Sequence, residues 1–178
     1  MNETEKKILQ GARECLLQEG HMRATVKRIA EHAGVNHGLI HHYFGSKEGL
    51  IVALIEQTQQ SVMSGFPLES AQGQTPLRRE ERLGRFLELA RSHIMGNELM
   101  LEFIAMSSTS PEIASKIREV LLSRRAFLQQ LLGLSQTEAA LLISIVLGTF
   151  VQAQIDPEIS VNSLLEQARM FYRNPTSK

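Results

Sequence analysis

The sequence predicts an all-α protein, a three-helix domain built on a helix-turn-helix followed by a larger helical domain, about nine helices in all. Apolar residues recur three and four apart through nearly the whole chain, and no stretch alternates as a strand does. Capping residues stand where those periodic stretches begin and end. Composition agrees: 43% of the 178 residues are apolar and 21% charged, ordinary for a globular chain and too hydrophobic for disorder.

Ile8, Ala12, Cys15 and Leu16 form the first apolar stripe, which Gly20 ends as a C-cap. Thr25 caps a short helix carrying Val26, Ile29, Ala30 and Ala33, and Gly34 stops it. Asn36 caps a second short helix that ends near Tyr43, Phe44 and Gly45. Ser46 caps a longer one that turns Leu50, Leu54 and Val62 inward. Residues 64–76 change to Gly, Ser, Gln and Pro and read as a loop. From Arg78 to Ile94 the pattern is an amphipathic helix with Leu83, Phe86, Leu87 and Ala90 on one side. Gly96-Asn97 breaks it, and Glu98 to Met106 makes another short helix. Ser110-Pro111-Glu112 places a cap, a proline and an acid where a helix begins, and that helix runs to about Leu132. Ser135 and Glu138 have capping-box spacing before an apolar run that Asp156-Pro157 closes. A last helix spans roughly Val161 to Arg173.

Charge and cysteine content narrow the function classes. Nineteen basic residues cancel nineteen acidic ones, so no whole-chain charge argues for nucleic acid or an anionic membrane. The single cysteine, Cys15, excludes an internal disulfide framework and a cysteine-rich zinc site, and on its apolar stripe it reads as a core residue. The polar start of the chain is not a signal peptide, and the apolar stretch around Ala139 to Val151 falls short of a membrane span. The expectation is a soluble, cytoplasmic protein that meets no membrane. Locally the balance differs. Between Gly20 and Leu50, Arg23, Lys27, Arg28 and Lys47 face only Glu31 and Glu48, four minus two, a net of +2. Five of the six histidines, His21, His32, His37, His41 and His42, lie in the same stretch.

The informative segment is Thr25 to Phe44. A helix-turn-helix crosses two short helices at a steep angle over a tight turn, so it needs a small residue at the crossing, glycine at the turn and branched apolar anchors. Ala30 supplies the first, Gly34 the second, and Val35 and Ile40 the third. If Ile29, Ala30, Val35, Ile40 and Phe44 make this small core, the other face of the second helix shows Asn36, His37, Gly38, His41 and His42. That face fits the major groove, with its first residues nearest the base edges. Thr25, Tyr43 and Lys47 lie at helix ends beside the groove, placed for phosphate. The N–H groups opening the helix after Ser46 assist Lys47 there.

Residues 5 to 55 resemble the N-terminal domain of TetR-family transcriptional repressors. The resemblance rests on a leading helix, T-V-x-x-I-A-x-x-A-G-V, a short recognition helix, an aromatic, and S-K-E-G-L. It implies a larger all-helical C-terminal domain that binds a small effector and forms a dimer. It also implies phosphate contacts at Thr25, Tyr43 and Lys47, and base contacts at Lys27, Arg28 and the Asn36 to His42 face. Most members carry Leu-Tyr-x-His-Phe where this chain has Ile40-His41-His42-Tyr43-Phe44, and Gly45 stands where a lysine is common.

His37 and His41 are four apart and share a helix face, the spacing of two zinc ligands, but two ligands are not a site, and no metal or other cofactor is expected. If His37, His41 and His42 face phosphates, DNA binding takes up protons and tightens as pH falls from about 8 toward 6.

The division expected is 1–48 for the DNA reader and 49–178 for ligand binding and dimerisation. In the second part the helix from Glu138 to Gln154 is apolar on nearly every side, through Ala139, Leu142, Ile143, Val146, Phe150 and Val151. Leu164, Leu165, Ala168 and Phe171 give a second stripe. The helices near 136–154 and 161–173 therefore suit a four-helix homodimer interface. Met95, Met100, Phe103, Met106 and Phe127 are the candidate lining of an apolar effector pocket, and equally candidates for plain core. Ser107, Ser108 and Thr109 offer polar contacts to a ligand or simply end a helix.

The reading that emerges is a dimeric repressor that binds a near-palindromic operator on duplex DNA and is released by a small, mainly apolar effector. The Ser46 to Ser64 helix is its hinge. A helical protein–protein adaptor is the alternative. An enzyme has less support, since no HExxH, phosphate loop or nucleophile motif is present.

Overall fold

Among the described residues the chain is helical, in the order α1 Glu3–Glu19, α2 Val26–Ala33, α3 Gly38–Phe44, α4 Lys47–Ser64, α5 Arg79–Ser92, α6 Ile94–Ser107, α7 Pro111–Leu132, α8 Gln136–Ile155 and α9 Val161–Arg173. The structure is a computed structural model that describes residues 1–64, 78–92 and 94–173, with side chains described in those ranges except at 92–98 and 173. The expected loop at 64–76 lies almost wholly outside them.

Local chemistry sets most boundaries. The Asn2 side chain accepts from the Glu5 N–H, and the Glu5 carboxylate accepts from the Asn2 N–H, a capping box opening α1. The Thr25 hydroxyl accepts from the Arg28 N–H, and Gly34 closes α2 at φ 64°, where a side chain would be strained. Ser135 and Glu138 cap α8 reciprocally. One boundary differs from expectation. Gly96 and Asn97 lie inside α6, which begins at Ile94, so they do not end the preceding helix. Leu99 and Met100, buried at 0% and 1% exposure, anchor the segment, and tertiary burial overrides the weak propensity of Gly-Asn.

The chain forms two compact units, each described by itself. Unit 1 is Met1–Ser61 with Glu98–Val120, and unit 2 is Val62–Asn97 with Leu121–Lys178. Packing thus divides the chain differently from a break after residue 48, because the end of α6 and the start of α7 belong with the N-terminal helices.

In unit 1, Ile8, Leu9, Ala12, Cys15 and Leu16 of α1 are buried, as are Ile29, Ala30 and Ile40 of the two short helices. Helix α1 packs on α2 at its closest where Gly11 meets Ala33: a Cβ at Gly11 would sit 2.5 Å from the Ala33 backbone nitrogen. Gly49 serves a like purpose, since a Cβ there would strike the Phe44 carbonyl oxygen. The interior link between α1 and α4 is polar: Arg13 Nη2 donates to Thr58 Oγ1 at 3.3 Å, and Thr58 donates to the Leu54 carbonyl.

In unit 2, α8 buries Ala139, Leu142, Ile143, Val146 and Phe150 in one core with Leu83 and Leu87 of α5, Phe127, Leu128 and Leu131 of α7, and Leu165 and Tyr172 of α9. At twenty residues and mean hydropathy 1.6, α8 is long and apolar enough to cross a membrane, which corrects the expectation that it falls short. Its inward face is nevertheless built into this core, as in any central helix of a helical domain. The stripe expected on α9 divides between the core and the outer surface. Leu165 and Ala168 face inward with Tyr172, whose hydroxyl donates to the Glu138 carbonyl at 3.0 Å, while Phe171 points out at 64% exposure. A hydroxyl in reach of a helix-end carbonyl decides between the adjacent rings.

Candidate nucleic-acid interface

The short helices α2 and α3 present their polar sides outward. Ile40 is fully buried, and with it fixed inward Asn36, His37, Gly38, His41 and His42 are all exposed. Thr25, Lys27 and Arg28 are exposed along α2, and Tyr43 and Lys47 are partly buried at the end of α3 and the start of α4. Val35 and Phe44, expected in the small core, are half-buried at its margin. A seven-residue helix with an exposed polar side is narrow enough for a groove ~12 Å wide.

Asn36 stands one residue before the observed N-cap, His37, and its Oδ1 accepts from the Gly38 N–H at 2.9 Å. Asn36 therefore makes a turn before the helix and is not the N-cap expected, because a tight first turn, in which the Leu39 N–H reaches the Asn36 carbonyl, shifts the helix start by one residue. At the other end, His41 Nδ1 donates to the Gly45 carbonyl at 3.1 Å. With a carbonyl as its partner, Nδ1 carries the proton of the neutral ring and Nε2 is the acceptor. His42 stands edge-on to Tyr43, ring centroids 5.0 Å apart. Ser46 Oγ accepts from the Gly49 N–H, so one of the N–H groups opening α4 is already committed.

Three basic groups of this stretch, among them Arg28 of the expected base contacts, are tied down elsewhere. Arg28 donates through Nε and Nη2 to both oxygens of Glu19 and through Nη1 to Glu31. His32 Nε2 lies 2.8 Å from Glu19 Oε1. Those bonds, from Arg28 first and His32 second, hold the Glu19 carboxyl at about 2 against an ordinary 4.5. The local +2 stops at Gly20 and so omits Glu19, the acid that cancels Arg28. His21 is drawn off similarly: its backbone N–H and its Nδ1 both meet Glu102 Oε2, at 2.7 and 2.8 Å. Of the five clustered histidines, only His37, His41 and His42 remain as the exposed set. Cys15, Glu19 and His32 come within 4.8 Å of one another, a thiol, a carboxylate and an imidazole at the α1–α2 junction. With Glu19 bonded to Arg28 and His32, this group serves as the polar pin between those helices. Sequence spacing did not reveal it, because its members come from two helices across a turn.

Unit 2 holds an apolar cavity of about 60 Å³ lined by residues of α5, α7 and α8 with Val62 and Met63. Phe127, one of the expected pocket residues, lines it. Met100, Phe103 and Met106 do not: all three are buried in unit 1. Met95 falls among the side chains outside the description. Ser107, Ser108 and Thr109 turn their hydroxyls back onto the carbonyls of Ile104, Ala105 and Met106, closing α6. The side chain that sequence reasoning missed is Arg124, the one charged residue among those lining the cavity.

Comparison with known proteins bears on the same N-terminal segment. Residues 8–54 match the family model described as bacterial regulatory proteins, tetR family. The transcriptional repressor AcnR of Corynebacterium glutamicum is 44% identical over 52 residues, which is 29% of this chain and 28% of AcnR. The transcriptional regulator UidR of Escherichia coli is 26% identical over 129 residues, covering 71% of this chain and 63% of UidR. The chain therefore matches little more than a quarter of AcnR and under two thirds of UidR. A crystal structure of a transcriptional regulator from Rhodococcus superposes over 94% of this chain and 92% of its own, with TM-score 0.79 and 21% identity, and so shares the fold. Residues 8–54 thus carry the N-terminal helix-turn-helix segment that the model of bacterial regulatory proteins, tetR family, describes.

Proposed function

We propose that this protein is a cytoplasmic, dimeric transcriptional repressor that grips a near-palindromic operator with α3 of each subunit and lets go when a small, mainly apolar effector binds. Residues 1–48 act as the reader and residues 49–178 as the effector-binding and dimerising part. The observation that carries the reading is the burial of Ile40 in α3 while Gly38, His41 and His42 of that helix, and Asn36 and His37 just before it, are exposed. Base edges fall to Asn36, His37, Gly38, His41 and Lys27, with phosphates at Thr25, Tyr43, His42 and Lys47. Arg28 reaches a base only by leaving Glu19 and Glu31, so its first role is to hold α2 against α1. The dimer forms through α8 and α9, whose Leu141, Ile155, Met170 and Phe171 are exposed at 46–79%.

Selection of bound duplexes from a random pool tests this reading. A two-fold symmetric consensus is expected, with affinity falling about a thousandfold between ~50 and ~200 mM salt as counterions are released. His37→Ala with His41→Ala lowers that affinity at unchanged thermal stability. Failure to retain any duplex at low salt removes the repressor. Salt-insensitive capture of a protein partner instead favours the adaptor.

A further inference from the structure

Gly11, Cys15 and Glu19 stand four apart along α1 and so share the face that α2 packs against. The fit of Gly11 on the Ala33 backbone sets the separation of the two helices, and farther along α1 Cys15 and Glu19 meet His32, the residue before Ala33. A thiol, a carboxylate and an imidazole thus come within 4.8 Å of one another on helices already held together. Cys15 is fully buried and forms the floor, whereas the Glu19 and His32 side chains, at 17% and 16% exposure, form a rim that solvent reaches. We propose that Cys15, Glu19 and His32 bind a zinc-like divalent cation, and that the cation takes Glu19 away from Arg28.

Thiolate sulfur, imidazole nitrogen and carboxylate oxygen are the donors zinc accepts, and three protein ligands leave a fourth position to water. Magnesium and calcium ask for oxygen donors, and copper(I) is poorly served by a carboxylate. Tetrahedral bonds of ~2.1 Å to nitrogen and oxygen and ~2.3 Å to sulfur need donor atoms ~3.3–3.6 Å apart. The pair of His32 Nε2 and Glu19 Oε1, at 2.8 Å, widens by about half an ångström, and the sulfur closes by at most about 1.2 Å. In the metal-free chain Glu19 is answered by Arg28 and His32, and the metal exchanges those hydrogen bonds for coordination. The thiol proton leaves to solvent. Thiolate and carboxylate then cancel the two charges of the metal, so the guanidinium loses its hold on Glu19. Arg28 keeps Glu31, and its side chain, 48% exposed, is free to turn outward. The site stands whatever the chain regulates. Its consequence rests on the proposed repressor: Arg28, an expected base contact, becomes available to DNA once metal holds Glu19.

Untagged full-length protein, stripped with chelator, is titrated with cobalt(II) and then with zinc(II). Cobalt should give a sulfur-to-metal charge-transfer band in the near ultraviolet, which zinc abolishes. Cys15→Ala should remove the band, and Cys15→Ala and His32→Gln should each weaken zinc binding at least about tenfold. His37→Ala with His41→Ala should change neither, because those exposed imidazoles belong to the α3 surface. Cys15→Ser serves the same purpose if the alanine variant loses its helical circular dichroism. Absence of binding overturns the site. Binding with no sulfur band, binding unchanged in the cysteine and His32 variants, or binding lost with His37 and His41 marks an adventitious ion only and overturns it equally. In the second arm, zinc should tighten retention of a selected duplex at least about threefold in the wild type and have no effect in the cysteine variant or in Arg28→Ala. Unchanged retention beside an intact sulfur band overturns the release of Arg28. The band in a chain that retains no duplex upholds the site and removes the regulator. A duplex retained by a chain that shows no band does the reverse.

Discussion

Units 1 and 2 distribute their chemistry in opposite ways. In unit 1 the distinctive groups are outside: the exposed side of α3, the Glu19–Arg28–Glu31 pairs and the His21–Glu102 link all lie on or near the surface. Its interior is mainly apolar packing around Ile8, Leu16, Ile29, Ile40 and Phe103, with the Arg13–Thr58 bond as a polar link. In unit 2 the distinctive feature is inside, an apolar cavity with Arg124 among its lining residues, and the surface carries Ile155, Met170 and Phe171 at 63–79% exposure. Under the proposed function the contrast separates two kinds of recognition. Reading a polymer of fixed shape calls for polar groups held at known places on short, capped helices. Receiving a small molecule calls for soft walls contributed by several helices at once.

The largest effect should come from breaking the outer surface of unit 2. Met170→Glu with Phe171→Glu is expected to raise the dimer dissociation constant about a hundredfold, read by light scattering across a dilution series, with helix content unchanged. An unaltered dimer would show that these exposed side chains are not what unit 2 offers a second subunit.

Next comes the interior of unit 1. Gly11→Val puts branched carbon where only 2.5 Å separates an added Cβ from the Ala33 backbone nitrogen. It should cost about 1–3 kcal/mol in denaturant unfolding, because neither helix backbone can yield cheaply. A variant as stable as the wild type would mean that α1 and α2 are free to separate, and that the rigid setting of the reader comes from elsewhere.

The smallest effect is electrostatic and depends on pH. Glu19 is held at about 2 instead of 4.5, so the ionised form is the one the fold favours. Its contribution is complete above about pH 4.5 and is lost as pH falls through about 2. Glu19→Gln should therefore lower the unfolding midpoint at pH 7, with the gap to wild type closing over that acidic window. A gap that stays constant from neutral to acid pH would assign the loss to packing and would remove the ion pair from the contrast between the units.

Much of unit 1 was legible because its determinants are local. The hydroxyl at Thr25, the left-handed turn at Gly34 and the Ser135–Glu138 box in unit 2 each act within one helical turn, and each holds in the structure. The exposed side of α3 followed from the burial of Ile40, since helical spacing carries one assignment around the whole helix. The same logic left Tyr172 of α9 unassigned, where Phe171 and Tyr172 are neighbours with similar rings. Only the Glu138 carbonyl, thirty-four positions away, selects the tyrosine for the inside. Met100, Phe103 and Met106 suited a pocket by residue type, but type does not say which interior a flexible side chain will join.

What the amino-acid order determined by itself was the helical class, the caps, the turn between α2 and α3 and the polar character of α3, because each is settled by residues a few positions apart. What only the tertiary structure decided was the pairing of Arg28 with Glu19 and of His21 with Glu102, the close approach of Gly11 to Ala33, and the place of Arg124 in an apolar wall. These join positions with no shared periodicity. Their energies exist only once distant helices have been brought together, and no local pattern is required to announce them.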